Sequence, residues 1–377
     1  MTAMRTYLDH NATQPLRPEA QAAMLAALDV FGNPSSVHAE GRAARAIIEA
    51  AREEVAALVN ARPGEVIFTS GATEANSYAI SGRAWSALLF GNCEHVAVLT
   101  PARRAKASRT ELPCRSDGVQ DIDGAHAWGA TRPASDVPAF ASLALANGET
   151  GVLQPVAELA AVLAQFGIVV HSDAAQAAGR VPVDFRALGL SLMSLSAHKM
   201  GGPKGIGALV VRDGTPLEPV LTGGGQERRR RAGTENTVAI AGFGAAAAAA
   251  RRDLDSARQI RALRDGLERD LMRTQPACVL IGRDAERLPN TTLVSKPGKS
   301  AETVVIKLDL AGIAVSAGAA CSSGKVAASH VLEAMGVAPE IARGAIRVSL
   351  GRNTTAEDVN KFVAAWSAAV ERSVMVA

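Results

Sequence analysis

Apolar and polar positions in this chain follow two periods in turn. Residues 40–59 carry Ala, Ile, Val and Leu at helical spacing between Glu and Arg, and Val66-Ile67-Phe68-Thr69 follows as a short apolar run. Ser70-Gly71-Ala72-Thr73-Glu74 then opens a second helix. Nearly continuous apolar runs recur at 96–99, 139–145, 168–171, 192–195 and 208–211, with helical stretches such as 156–165 between several of them. Short apolar strands alternating with helices predict an α/β fold whose mainly parallel sheet is covered on both faces. Such a sheet places its ligand crevice at the carboxyl ends of the strands.

The texture changes beyond residue 250. Residues 251–273 read as one long, charged amphipathic helix. After it, strand candidates at 291–294, 314–316 and 346–349 interleave with helices at 329–335 and 356–370. The pattern predicts a large domain over 16–250 and a smaller α/β domain formed by 1–15 with 251–377. There is no internal repeat, and the alanine run 245–250 is a strong helix former.

Composition narrows the function classes. The chain has 377 residues, 48% hydrophobic and 20% charged, which excludes disorder and allows a large core. Its four cysteines, Cys93, Cys114, Cys278 and Cys321, are 21, 164 and 43 residues apart, so there is no disulfide framework and no CxxC knuckle. The longest apolar stretch, 238–250, is shorter than the ~18 residues of a membrane span, and Arg251-Arg252 closes it. The first six residues lack an apolar signal core. A net charge of +3 gives no reason to expect a nucleic-acid partner, even with the run Arg228-Arg229-Arg230-Arg231, which reads as a solvated turn. The expectation is a cytoplasmic enzyme without membrane attachment.

Four segments carry candidate chemistry. Lys199, in Ser196-Ala197-His198-Lys199, follows an apolar strand and enters a Gly/Pro-rich loop, where desolvation frees an amine for Schiff-base chemistry. Asp173 lies 26 residues earlier at the end of another strand, where a carboxylate projects into the crevice. A lysine forming the Schiff base and a carboxylate under a pyridinium nitrogen are the pair that pyridoxal phosphate requires. The segment 70–74, small residues at a helix N-terminus, suits a phosphate; a capping box explains it equally well. Cys321 lies between Gly318 and Gly324, among side chains too small to pack it, with Lys325 nearby to favour a thiolate. Cys93 and Cys278 read as packing residues.

Taken together, these segments resemble the pyridoxal-phosphate-dependent cysteine desulfurases, members of the class V aminotransferase group with fold type I. The resemblance runs nearly end to end. It includes Tyr7-Leu8-Asp9-His10-Asn11-Ala12-Thr13, Gly32-Asn33-Pro34-Ser35-Ser36-Val37-His38, residues 68–76, Asp173-Ala174-Ala175-Gln176, Gly223 to Glu227, Arg231 to Asn236, the Cys321 loop and Arg347 to Arg352. It implies a large domain with a mainly parallel seven-stranded sheet and a smaller C-terminal α/β domain bearing the cysteine loop.

The resemblance also implies roles. Lys199 would hold the cofactor and move protons, His95 would stack on its ring, Asp173 would hold the ring nitrogen and Gln176 the phenolic oxygen. Ala72, Thr73, Ser196 and His198 would cradle the phosphate, and Thr234 would reach the phosphate of a neighbouring subunit, which implies a homodimer. Arg347 would clamp the substrate carboxylate, with Asn11 as a helper. Cys321 would take sulfur from L-cysteine, leaving L-alanine and a persulfide for an iron–sulfur scaffold or another sulfur acceptor. It is also the one residue the resemblance offers as a transient iron–sulfur ligand. A selenocysteine lyase, a class V aminotransferase and a non-catalytic assembly scaffold are the competing expectations, though Lys199, Asp173 and Cys321 together argue against a scaffold.

The chain departs from the family pattern at three places. Gly148 stands where a cofactor-contacting asparagine is usual, Gln14 replaces a threonine, and Ser77 replaces an asparagine. Residues 99–139 read as irregular and carry no transferable role.

Overall fold

The computed structural model describes residues 5–132, 135–318 and 329–371. Its centre is a seven-stranded sheet in the order Val66–Thr69, Gly207–Val211, Leu192–Ser196, Val169–Asp173, Phe140–Ser142, Ala87–Gly91 and Ser108–Leu112. All neighbours pair in parallel except at Gly207–Val211, which is antiparallel to both of its partners. Five of these strands are wholly buried, as continuous apolar runs between two helical layers require. One core lies under the helices Ala39–Leu58 and Thr237–Arg252, and a second lies under Ala72–Ser81 and Val96–Arg104 on the other face.

A four-stranded antiparallel sheet joins Ser316–Ala317, Ala345–Ser349, Thr291–Ser295 and Val279–Ile281. Its core gathers Leu267, Leu308, Val348, Phe362 and Trp366 from the C-terminal part with Leu8 from the other end of the chain. Thr6–Tyr7 pairs in parallel with Ile313–Ala314, and Asp9 bridges to Ser349, which fastens the N-terminal segment there. Among the described residues no helix is long and apolar enough to cross a membrane.

Three expectations about elements need correction. The run 96–99 is the first turn of the helix Val96–Arg104, not a strand; His95 caps it, its Nδ1 accepting from the Ala97 amide at 3.1 Å. Four apolar residues fit a buried helix as well as a strand, and the strand lies earlier, at Ala87–Gly91. The stretch 99–139 contains the edge strand Ser108–Leu112, exposed at its first four positions, and the helix Ile122–Ala130. Its polar composition hid an edge strand that has little to bury. The helix expected over 251–273 is interrupted. Thr237–Arg252 ends in a short 3-10 turn, Asp253–Ser256, before Ala257–Thr274 begins. There the Ser256 hydroxyl donates to the Asp253 carbonyl at 2.6 Å, and Asp253 pairs with Arg17 at 2.5 Å. Local side-chain bonds of this kind compete with the helix ladder.

Candidate active site

The carboxyl ends of the strands Val66–Thr69, Val169–Asp173 and Leu192–Ser196 open into one cavity of about 910 Å3. Each strand delivers a different chemistry. Val66–Thr69 runs through Ser70 and Gly71 into the helix Ala72–Ser81, so Ala72 and Thr73 bring backbone N–H groups to the cavity. No side chain caps this helix at Gly71; Glu74 instead reaches back to the Ser70 amide at 2.7 Å. Its first amides are left for a ligand, and the helix dipole favours an anion. The next strand passes hard against this turn: a Cβ on Gly207 would lie 2.7 Å from the Gly71 backbone.

Val169–Asp173 ends on Asp173, a buried carboxylate whose Oδ2 accepts from Asn76 Nδ2 at 2.7 Å and whose Oδ1 accepts from the Ala175 amide at 2.9 Å. Each oxygen keeps a further lone pair. Asn76 was missed as a functional residue, although its spacing of three from Thr73 on the same helix signals a shared face.

Leu192–Ser196 delivers Ser196, His198 and Lys199, all lining the cavity. Lys199 Nζ donates to the carbonyls of Asn11 at 2.5 Å and Ala12 at 3.0 Å. Its own carbonyl accepts from Gln14 Nε2 at 2.6 Å, so the unusual Gln14 fixes the lysine backbone. His198 Nδ1 contacts Thr13 Oγ1 at 3.2 Å. Burial, with the charges of Lys199, Lys204 and Arg180, pushes its pKa down to about 4.

His95 caps its helix through Nδ1, which leaves the proton of the neutral ring on Nε2. Burial lowers its pKa, and the charges of Lys199 and His330 add to this while Asp173 opposes it. Beside it Glu94 is fully buried. Burial, with the charge of Asp173, raises its pKa well above the ordinary carboxylate value. Its Oε1 accepts from the Ala144 amide, and its Oε2 has no partner among the described residues.

The other end of the cavity is assembled from distant segments. Arg347, buried on Ala345–Ser349, donates through one terminal nitrogen to the Gly148 carbonyl at 3.0 Å and through the other to Asp9 Oδ1 at 2.8 Å, while its Nε has no partner among the described residues. The Asn11 side chain is engaged in holding the scaffold: it donates to the Gly148 carbonyl and Thr291 Oγ1 and accepts from Asn290 Nδ2. Gln176 donates to the Asn11 carbonyl at 3.1 Å and accepts from Arg180. At Gly148 a Cβ would meet Gln176 Nε2 at 3.1 Å, while Asn147 turns away to donate to the Cys93 carbonyl at 3.0 Å and cap the following turn. Glu149, missed in the sequence, accepts from Ser329 Oγ at 2.6 Å, and burial raises its pKa.

Ten of the twelve residues expected at the site therefore line one cavity. Thr234 does not line it and is exposed on the surface of this chain. Cys321 lies outside the described residues. In the basic run Arg228 and Arg229 are exposed, as a solvated turn requires, while Arg231 at its end pairs with Glu74 at 2.9 Å.

A family model described as aminotransferase class-V matches residues 6–362. A cysteine desulfurase of Cereibacter sphaeroides is 42% identical over 370 residues, covering 95% of this chain and 94% of its own. Among solved structures, a NifS-like protein from Rickettsia africae matches with a TM-score of 0.90 at 33% identity, over 97% of this chain and 99% of that one. A structure described as SspA in complex with cysteine matches with a TM-score of 0.79 at 30% identity, over 92% of this chain and 98% of that one.

Proposed function

From its membership of the class-V aminotransferase family, to which this chain belongs, we infer that the protein is a cysteine desulfurase that takes sulfur from L-cysteine and leaves L-alanine. The observation that carries the reading is one cavity lined by Lys199, Asp173, an uncapped helix N-terminus and Arg347. Cysteine desulfurases of this family depend on pyridoxal phosphate, and the residues present fit that group. Among the described residues Asn76 Oδ1, Glu94 Oε2 and Arg347 Nε are buried polar atoms without a partner, all on cavity-lining residues, as in a wall built to receive a polar group. The helix start at Ala72 and Thr73, with Ser196 and His198, would hold the phosphate, Asp173 the ring nitrogen and Lys199 Nζ the reactive carbon.

Bound there, the cofactor supplies an electron sink that weakens bonds to the carbons of an attached amino acid. The chain's own residues do the rest. Arg347 orients the substrate carboxylate with a rigid guanidinium fork. Lys199 Nζ, held beside the Asn11 and Ala12 carbonyls, moves the proton at the substrate α-carbon. His95 keeps a proton on Nε2, and burial beside Asp173 disfavours a second anion at Glu94. Cys321 Sγ attacks the substrate sulfur; the S–S bond forms as the C–S bond breaks, and reprotonated carbon leaves as alanine.

The wider reading has the protein as a homodimer in which Thr234 serves the neighbouring site, working in the cytoplasm and passing sulfur to an iron–sulfur scaffold or another acceptor. The division into 16–250 and 1–15 with 251–377 belongs to the same reading, supported by the core that gathers Leu8 with C-terminal residues. The test is incubation with L-cysteine and a reductant, measuring sulfide and alanine. Both Lys199→Ala and Cys321→Ala are expected to lose sulfide release. Sulfide release by Cys321→Ala equal to that of the parent overturns the assigned nucleophile. A class V aminotransferase activity that survives Cys321→Ser, with no desulfuration in the parent, overturns the reaction.

A further inference from the structure

Cys93 is not the isolated packing residue it reads as in sequence: the fold brings it against Cys114, 21 residues further on. The neighbouring strands Ala87–Gly91 and Ser108–Leu112 pair in parallel with Gly91 opposite Leu112, so each cysteine comes two residues after the last paired position of its strand. The Asn92 amide continues the pairing, donating to the Leu112 carbonyl at 2.9 Å. Adjacent strands run about 4.8 Å apart, inside the ~4.4–6.8 Å between Cα atoms that a disulfide spans. The two sulfurs meet at 2.8 Å.

We propose that Cys93 and Cys114 form a reversible intrachain disulfide, a two-electron redox site separate from the sulfur-accepting thiol, with a low-molecular-weight disulfide as oxidant. The two thiols divide the work by position. Cys93 is buried, while Cys114 is only half-buried and open to attack an oxidant. Their contact lowers the pKa of Cys114, and the same contact together with burial raises that of Cys93. The Cys114 thiolate attacks one sulfur of the oxidant and expels a thiolate, forming a mixed disulfide. Cys93 Sγ then gives up its proton, attacks the Cys114 sulfur and expels the second thiol. One oxidant disulfide is reduced to two thiols as two cysteines become one disulfide.

The place gives the bond a lever on the active site. Cys93 lines the cavity directly before Glu94 and His95, and its carbonyl holds Asn147. Both cysteines belong to the apolar cluster in which Leu293, Val331, Leu332 and Met335 pack onto the end of the sheet. Closing the bond ties the wall at 93–95 to the segment after the edge strand.

The test uses the full-length Cys321→Ser protein carrying its cofactor, so that the sulfur-accepting thiol takes no part. Three cysteines remain of the four in the sequence. Oxidised glutathione is expected to release two equivalents of glutathione per chain and to lower the free thiols of the denatured protein from three to one. A peptide pair 84–103 and 110–115, joined and cleaved again by dithiothreitol, identifies the bond. Adding Cys114→Ser, at a half-buried position, is expected to abolish the joined pair. Retention of three thiols overturns the proposal, as does a glutathione adduct on Cys114 that Cys93 never displaces, or a bond from Cys93 to Cys278.

Discussion

The two ends of the cavity are built on different plans. At the Lys199 end, Asp173 is the last residue of its strand and Thr73 and Lys199 follow shortly after the ends of theirs in the same sheet, so each is placed by its own strand and turn. At the Arg347 end, Asp9, Asn11, Gly148, Thr291 and Arg347 meet through hydrogen bonds that span up to 338 positions of sequence. The first end is held by a buried parallel sheet whose strands fix direction and register. The second exists only while the N-terminal segment lies against the small antiparallel sheet. The first end should therefore respond to mutation mainly in the chemical step, and the second mainly in substrate binding.

Lys199→Ala should have the largest effect, a loss in kcat of about 10³-fold, as for removal of a positioned proton-transfer group; single-turnover alanine formation measures it. Retained turnover would break the comparison at its first end. Arg347→Lys keeps the charge but not the fork, and should raise KM for L-cysteine about 10- to 100-fold, with a smaller change in kcat, the scale of a charge-assisted hydrogen bond. Asp9→Asn should shift KM in the same direction by less. An effect of Arg347→Lys confined to kcat would erase the distinction between the ends.

Acid stability tests the sheet beneath the first end. His171 is wholly buried between Ser142 Oγ and Ser194 Oγ at 2.9 Å each, and burial pushes its pKa from 6.5 to about 4. Below pH 6.5 the unfolded chain gains a proton that the folded chain refuses until about pH 4, so stability falls as pH falls through that window. The loss from this one group is about 3 kcal/mol at most, read as a falling urea midpoint whose slope with pH flattens in His171→Asn. Glu94→Gln should change least. Burial and the charge of Asp173 favour its uncharged form, which Gln mimics, and the Oε1 contact to Ala144 survives, so kcat/KM should stay within about threefold near neutral pH.

The residues of the first end were legible because their signals are local. A strand, a helix start and a lysine after a strand sit within a few residues of one another, and the period of two or 3.6 says where each element begins. His95 was found through family resemblance, yet its surroundings were misread: 96–99 looked like a strand, and its capping of a helix became visible only when the chain direction there was known. Glu94 gave no sign of its raised pKa, which depends on complete burial beside Asp173. Gly148 was seen as a missing side chain. In the fold its carbonyl is what joins Asn11 to Arg347.

The sequence by itself determined the alternating α/β order, a ligand crevice at the strand ends and several of the groups that line it, because hydrophobic period and turn chemistry act over short stretches. Only the tertiary structure decided which carbonyls hold Lys199, that Arg347 donates to Gly148 and Asp9, and that Cys93 and Cys114 touch. Those outcomes depend on pairing between strands and on segments brought together from both ends of the chain. Residue order carries no local signal for either.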